Sequence, residues 1–147
     1  MNVAFAVVTA QDVEAFAELY ASIYNAAPWH DGWSLSVAKE RLRGLAAAPR
    51  FEALGAYQAG NGVGLVLGAG ERSANGWVFH IREMFVAPEL QRGGIGRSLL
   101  AAFERSLASR YIGVYLQTGG QVPADKFYAS CGYAISDMVS MTKRIDL

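Results

Sequence analysis

The chain has 147 residues, 52% of them hydrophobic and 18% charged, with 13 Lys+Arg against 13 Asp+Glu. That length suits a single domain, 1–147, with one independent core, and the composition excludes a disordered or low-complexity protein. A net charge of zero without a basic stripe gives no ground to expect nucleic acid as a partner.

Val3 to Thr9 reads as a strand. Asp12 stands near the start of a helix that runs to Asn25, with Val13, Phe16, Leu19, Tyr20 and Ile23 at helical spacing. Ala26 to Ser34 is an irregular loop that holds Trp29, His30, Asp31 and Trp33. Ser34 or Ser36 caps a second helix, which Pro49 ends. Two strands follow, Phe51–Gln58 and Val63–Ala69, joined by the turn Ala59-Gly60-Asn61-Gly62. Trp77 to Val86 is the longest strand candidate, and Pro88 stops it. Gly96 to Arg110 reads as a helix with Leu99, Leu100, Phe103 and Leu107 on one side, and Ile112 to Gln117 as a strand. Pro123 to Ser130 suits a short helix that Gly132 stops, and Tyr133 to Arg144 a last strand or hairpin arm. The order is that of an α+β or mixed α/β fold, with a mostly antiparallel sheet and a helical crossover near residues 95–110.

The lone cysteine, Cys131, can form no internal disulfide, which points to a reducing, cytoplasmic setting. The first residues lack a basic n-region and no segment holds 18 consecutive apolar residues, so neither export nor a membrane is expected.

The most informative stretch runs from Glu83 to Leu100, where a strand ends and Gly93, Gly94 and Gly96 lead straight into a helix. Glycines there let backbone N–H groups approach an anion, and the helix start adds unpaired donors. Arg92 and Arg97 flank them. A plain flexible turn is the bland alternative. A Walker loop is excluded because no Gly-Lys-Ser/Thr follows, and a dinucleotide fingerprint is weak because Leu99 stands where a small residue is needed.

Gln91-Arg92-Gly93-Gly94-Ile95-Gly96 resembles the Gln/Arg-x-x-Gly-x-Gly/Ala signature of the GCN5-related N-acetyltransferases (GNAT). Met84-Phe85-Val86-Ala87-Pro88 is similar to the end of that family's fourth strand. Ala124-Asp125-Lys126-Phe127-Tyr128-Ala129-Ser130-Cys131-Gly132-Tyr133 resembles its second signature, Ala-x-x-Phe-Tyr-x-x-x-Gly-Phe. The resemblance implies the GNAT fold, a twisted, mostly antiparallel sheet of six to seven strands flanked by about four helices. It implies acetyl-CoA as acetyl donor, no metal, and an N-acetyltransferase acting on a primary amine of a small molecule or peptide. On the same ground the motif Gln91 to Ser98 is expected to hold the pyrophosphate, through the amides of Arg92, Gly93, Gly94, Gly96 and Arg97 with Ser98, and with Ile95 inside the motif. Phe85, Val86 and Ala87 are expected against the pantetheine, with the Val86 amide polarising the thioester carbonyl. Gln121 stands where many members carry an asparagine that contacts the pantetheine.

Tyr128 occupies the family's tyrosine position, which implies a proton donor to the leaving thiolate; a core tyrosine is the plain alternative. Glu83 is the expected base. Strict alternation puts it on one face with Trp77, Phe79, Ile81 and Phe85, and His80 on the other; a bulge near the strand end would swap these faces. Burial there would raise the Glu83 pKa toward a useful range. His80 reads more readily as a satisfied sheet histidine, and Cys131 as a small buried residue. Trp29, Asp31 and Trp33 lie where the family builds its acceptor pocket and suit a bound cation, or equally an aromatic-packed corner. A homodimer through the C-terminal strands stays open. The rival reading is a non-catalytic acyl-CoA-binding sensor or interaction subunit on the same fold.

Overall fold

The computed structural model describes residues 2–119 and 124–146, which fall into two compact units, Met1–Gln117 and Thr118–Leu147. In the first unit five strands form one sheet in chain order: β1 (Val3–Val7), β2 (Phe51–Gln58), β3 (Asn61–Ser73), β4 (Gly76–Val86) and β5 (Gly113–Leu116). The first four are antiparallel and joined in part by tight turns. Ala59 and Gly60, with φ of 51° and 79°, supply the paired positive dihedrals that a two-residue hairpin needs. β5 lies parallel to β4, which no hairpin can achieve, and α3 (Ile95–Leu107) makes the crossover.

A single-turn 3-10 helix, Val13–Phe16, runs into α1 (Ala17–Asn25) where one continuous helix is expected from the sequence. α2 (Leu35–Ala46) is capped by Ser34, whose hydroxyl accepts the Val37 N–H at 3.2 Å. α1 and α2 lie over one sheet face, where Phe16, Tyr20, Ile23, Leu42, Leu65, Leu67 and Phe85 form a buried cluster. α3 contacts β2, β3 and β4 and buries Leu99, Leu100, Phe103 and Leu107. Phe79 meets the Phe103 and Tyr111 rings edge-on at 5.2 and 5.3 Å.

The register of β3 against β4 shifts between Leu67, opposite Glu83, and Gly68, opposite Ile81, so Arg82 is an extra residue in β4. Gly68 is what lets the strands close around it. A Cβ at that position would lie 1.9 Å from the His80 carbonyl oxygen. The bulge reverses the facing of everything beyond it. Phe79 pairs with Gly70, on the α3 side of β3, whereas Phe85 pairs with Leu65, on the α1/α2 side.

The second unit holds α4 (Ala124–Ser130), followed by Gly132 at φ 97°. The sheet of six to seven strands is therefore corrected to five among the described residues, and the strand expected over 133–144 is not formed there. Alternating apolar residues make a strand only against a partner edge. Here Ile135, Met138, Val139 and Met141 are exposed, and the polar groups bond locally, as Met138 N–H does to Ser136 Oγ. No described helix is long and apolar enough to cross a membrane.

Candidate functional site

β5 pairs with β4 only from Val78 to Ile81, so the last five residues of β4, from Arg82 to Val86, have no neighbour on that side among the described residues. Ala87 N–H donates back to Val63 O on β3 at 2.7 Å. By alternation the Val86 amide, one residue earlier, points the other way, to the open edge. The Gln91 side chain donates to the Val86 carbonyl at 3.0 Å, bridging strand end and glycine loop. Val86 and Ala87 are buried with Leu90, and Ile95 packs on them. Phe85 is buried on the opposite face, with α1.

The loop enters α3 through Gly94, which adopts φ 84° at the N-cap, while Arg92 adopts φ 72°. Gly94 has nothing within 4 Å of a notional Cβ, so its surroundings are open. The Ser98 amide is already bonded to the Gly94 carbonyl at 3.0 Å. The amides of Ile95 and Gly96 precede the first intrahelical bond and remain donors, joined by the Ser98 hydroxyl. This corrects the expectation at Ser98: its backbone amide belongs to the helix. Exposed glycines, left-handed backbone and the helix-start donors of Ile95 and Gly96 suit a pyrophosphate-sized anion.

On the α1/α2 face stands Glu83, its side chain only 10% exposed. Strict alternation is thereby corrected. Glu83 shares a face with His80 and Phe85, not with Phe79 and Ile81, because the bulge at Arg82 shifts the phase. Oε2 of Glu83 accepts from the Arg41 Nη2 at 3.0 Å and from the Tyr20 hydroxyl at 3.1 Å. Burial pushes the Glu83 pKa up, while Arg41 and the tyrosines Tyr20 and Tyr24 pull against it, and the net direction is upward. Burial and the Glu83 charge also raise Tyr20, which keeps its phenol a donor. Sequence reasoning missed Arg41 and Tyr20. Tyr20 lies in the apolar stripe of α1 and reads as core. Arg41 follows Ala38 by three residues and precedes Leu45 by four, both buried, so helical spacing places it at the edge of the buried face.

An aromatic wall leads up to this carboxylate. Trp33 meets Tyr20 at 5.1 Å, Tyr20 meets Phe85 at 5.6 Å, and Trp29 meets Tyr24 at 5.2 Å. The loop that carries the tryptophans is tied by Asn25, whose amide donates to the Trp33 carbonyl at 2.8 Å. Asp31 accepts the Trp33 indole N–H at 3.1 Å. Trp33 thus borders a cavity, while Asp31 and Trp29 do not line it.

Farther along the same face, His80 stacks on Tyr115 at 4.2 Å, and its Nδ1 lies 3.3 Å from Glu71, which also accepts the Tyr115 hydroxyl at 2.7 Å. Burial lowers the His80 pKa, and Glu71 only partly offsets it. In the second unit Tyr128 is half-buried and packs edge-on against Phe127 and Tyr133, at 5.2 and 5.8 Å. Gln121 lies outside the described residues. Among the described residues no group of three His, Cys, Asp or Glu side chains is placed to hold a metal.

A family model for the acetyltransferase (GNAT) domain matches residues 9–145. No curated protein matches the sequence. Among solved structures, one described as a possible acetyltransferase from Clostridium difficile 630 superposes with a TM-score of 0.82 at 15% identity, over 100% of both chains. A ribosomal-protein-alanine N-acetyltransferase from Brucella melitensis biovar Abortus 2308 gives 0.75 at 20%, covering 98% of this chain and 100% of its own. An aminoglycoside N-acetyltransferase in complex with CoA gives 0.76 at 15%, covering 97% and 95%.

Proposed function

Because this chain belongs to the GNAT acetyltransferase family, we propose that it moves an acetyl group from acetyl-CoA to a primary amine of a small molecule or peptide, by direct attack in a ternary complex. One observation carries the reading. The open edge of β4 ends in a glycine loop at a helix start, and a carboxylate only 10% exposed stands on the same strand three residues before the end. Whole-chain likeness to structures described as acetyltransferases, one of them solved with CoA, supports it.

The loop amides of Arg92, Gly93, Gly94, Gly96 and Arg97, with the Ser98 hydroxyl, would hold the pyrophosphate. Phe85, Val86 and Ala87 would flank the pantetheine along the open edge. Bound acetyl-CoA supplies an activated acetyl thioester. The Val86 amide, aimed at that edge, polarises its carbonyl. Glu83 takes the proton from the acceptor ammonium, directly or through water. Burial raises its pKa and so strengthens it as a base, while Arg41 pulls the other way. Tyr128 donates its phenolic proton to the leaving sulfur.

Calorimetry with acetyl-CoA, beside a Gly94→Glu control, tests the cofactor. Binding that the control abolishes supports the reading, and an amine panel with thiol release as readout then tests turnover. No binding to the native chain overturns both the enzyme and the sensor. Glu83 is already bonded by Arg41 and Tyr20, which is what favours the non-catalytic sensor. That alternative predicts binding without thiol release from any amine.

A further inference from the structure

The bulge at Arg82 brings a second proton-accepting group onto the face that carries Glu83. His80 pairs with Ala69 and Glu83 with Leu67, so the two stand two β3 residues apart, a rise of about 6.6 Å. One water can bridge side chains at that spacing. His80 lies opposite Tyr115, one residue before the β4–β5 pairing ends at Ile81, so the open edge of β4 begins beside it. Acetylation of an alkylammonium takes two protons from one nitrogen. One leaves before the nitrogen can attack, and one as the tetrahedral intermediate collapses. Only one of them ends on the released thiol, so the other has to leave the site. Glu83 holds one proton at a time and has to be emptied before it can take the second.

Two neighbours fix the His80 ring. Tyr115 on β5 stacks on it at 4.2 Å, and its Nδ1 lies 3.3 Å from Glu71 on β3, which is itself held by the Tyr115 hydroxyl at 2.7 Å. Glu71 sits opposite Val78, on the side of His80 away from Glu83. Nδ1 therefore carries the hydrogen, and Nε2, across the ring, keeps its lone pair on the Glu83 side. Nε2 makes no hydrogen bond among the described residues. Burial and the charge of Arg82 keep the ring neutral, ready to accept a proton, and Glu71 steadies the imidazolium once it forms. Glu71 is exposed, so the way from the ring to solvent is short.

We propose that His80 is the proton outlet of the acetyl transfer, receiving through one water the proton that Glu83 takes from the acceptor, with Glu71 as the residue that positions it. The proposal rests on the acetyltransferase reading. The N–H bond of the acceptor ammonium breaks to Glu83, and the nitrogen keeps the electron pair with which it attacks. The Glu83 proton passes to the bridging water as that water gives one of its own to Nε2. Glu83 is then a carboxylate again, the water is restored, and the imidazolium sheds its proton to solvent beside Glu71.

The test is chemical rescue, with thiol release from acetyl-CoA and an amine as readout. His80→Ala should lower kcat by about a hundredfold. Added imidazole should restore part of it, in proportion to the concentration of its neutral form as pH is varied. His80→Gln keeps a hydrogen-bond donor for Glu71 but no basic nitrogen, so its kcat should stay low while KM and the acetyl-CoA Kd stay near native. Glu71→Gln should lower kcat at unchanged KM, and an unchanged kcat there overturns the part given to Glu71. A native-like kcat in His80→Gln overturns the outlet, as does a His80→Ala chain that still binds acetyl-CoA yet gains nothing from imidazole. If His80→Ala no longer binds acetyl-CoA, His80→Gln decides alone. A native chain that releases no thiol with any amine fails the acetyltransferase reading and takes the outlet with it. Turnover by the native chain beside an equal His80→Gln removes only the outlet.

Discussion

Glu83 holds one proton-accepting oxygen between a cation and a phenol, so its basicity is set by a contest. Burial favours the neutral acid and Arg41 favours the carboxylate. As the proposed base Glu83 acts as a carboxylate, so activity should fall in acid as that group is protonated. Glu83→Gln should flatten the acidic limb of the pH–rate profile, and an unaltered limb would assign the base elsewhere. Arg41→Gln removes the group that favours ionisation, so the same limb should move to higher pH. A limb that stays in place or moves down would mean Arg41 is not setting the carboxylate. Tyr128→Phe should lower turnover more than acetyl-CoA affinity, measured by kcat against calorimetric Kd; equal turnover would remove Tyr128 from the acid role. Glu83 was legible in the sequence as a carboxylate on a largely apolar strand. Its partners were not, because Tyr20 and Arg41 lie 63 and 42 residues away and meet it only through packing of α1 and α2.

At the scale of elements, the β3–β4 hairpin is a phase-shifting device whose key is Gly68. Gly68→Ala would drive a methyl group into the His80 backbone, and neither strand can yield without losing the register. We expect a loss of about 3 kcal/mol in chemical denaturation. Gly44, inside α2 with open space around it, is the counter-case, and Gly44→Ala should stabilise by about 0.5–1 kcal/mol. Equal effects at the two positions would contradict the role given to the bulge. Helices and strands were legible from period, turn residues and caps, as at Ser34 and Ala59–Gly60. The bulge was not, since one extra residue leaves no mark in a run as apolar as Trp77 to Val86. β3 also runs past its expected end at Ala69 to Ser73, because Gly70, Glu71 and Arg72 carry no apolar alternation to announce a strand.

Across the whole molecule, one sheet separates the α1/α2 layer from α3, and the glycine loop opens at the start of α3. A ligand that binds only the folded chain stabilises it by mass action. Acetyl-CoA at a hundred times its Kd should add about 2.7 kcal/mol, a rise in Tm of roughly 5–10 °C. The Gly94→Glu chain should show none of it, and a shift that survives that change would place the ligand elsewhere. Fold class, strand direction and the crossover were legible from element order. The strand count was not. The alternating residues after Tyr133 signal a strand in the sequence, yet among the described residues they have no partner edge.

The extra residue at Arg82 bears on how this hairpin can be recombined. A β4 that kept all its residues but paired with β3 without the bulge would set Arg82 opposite Leu67, and present Glu83 to the α3 layer and Phe85 to the wrong core. Deletion of the Arg82 codon, by contrast, removes the bulge and leaves Ile81 opposite Gly68 and Glu83 opposite Leu67, each on its present face. The facing of Glu83 is therefore a property of the strand pair from Asn61 to Val86 taken together, and Gly68 has to travel with the bulged β4.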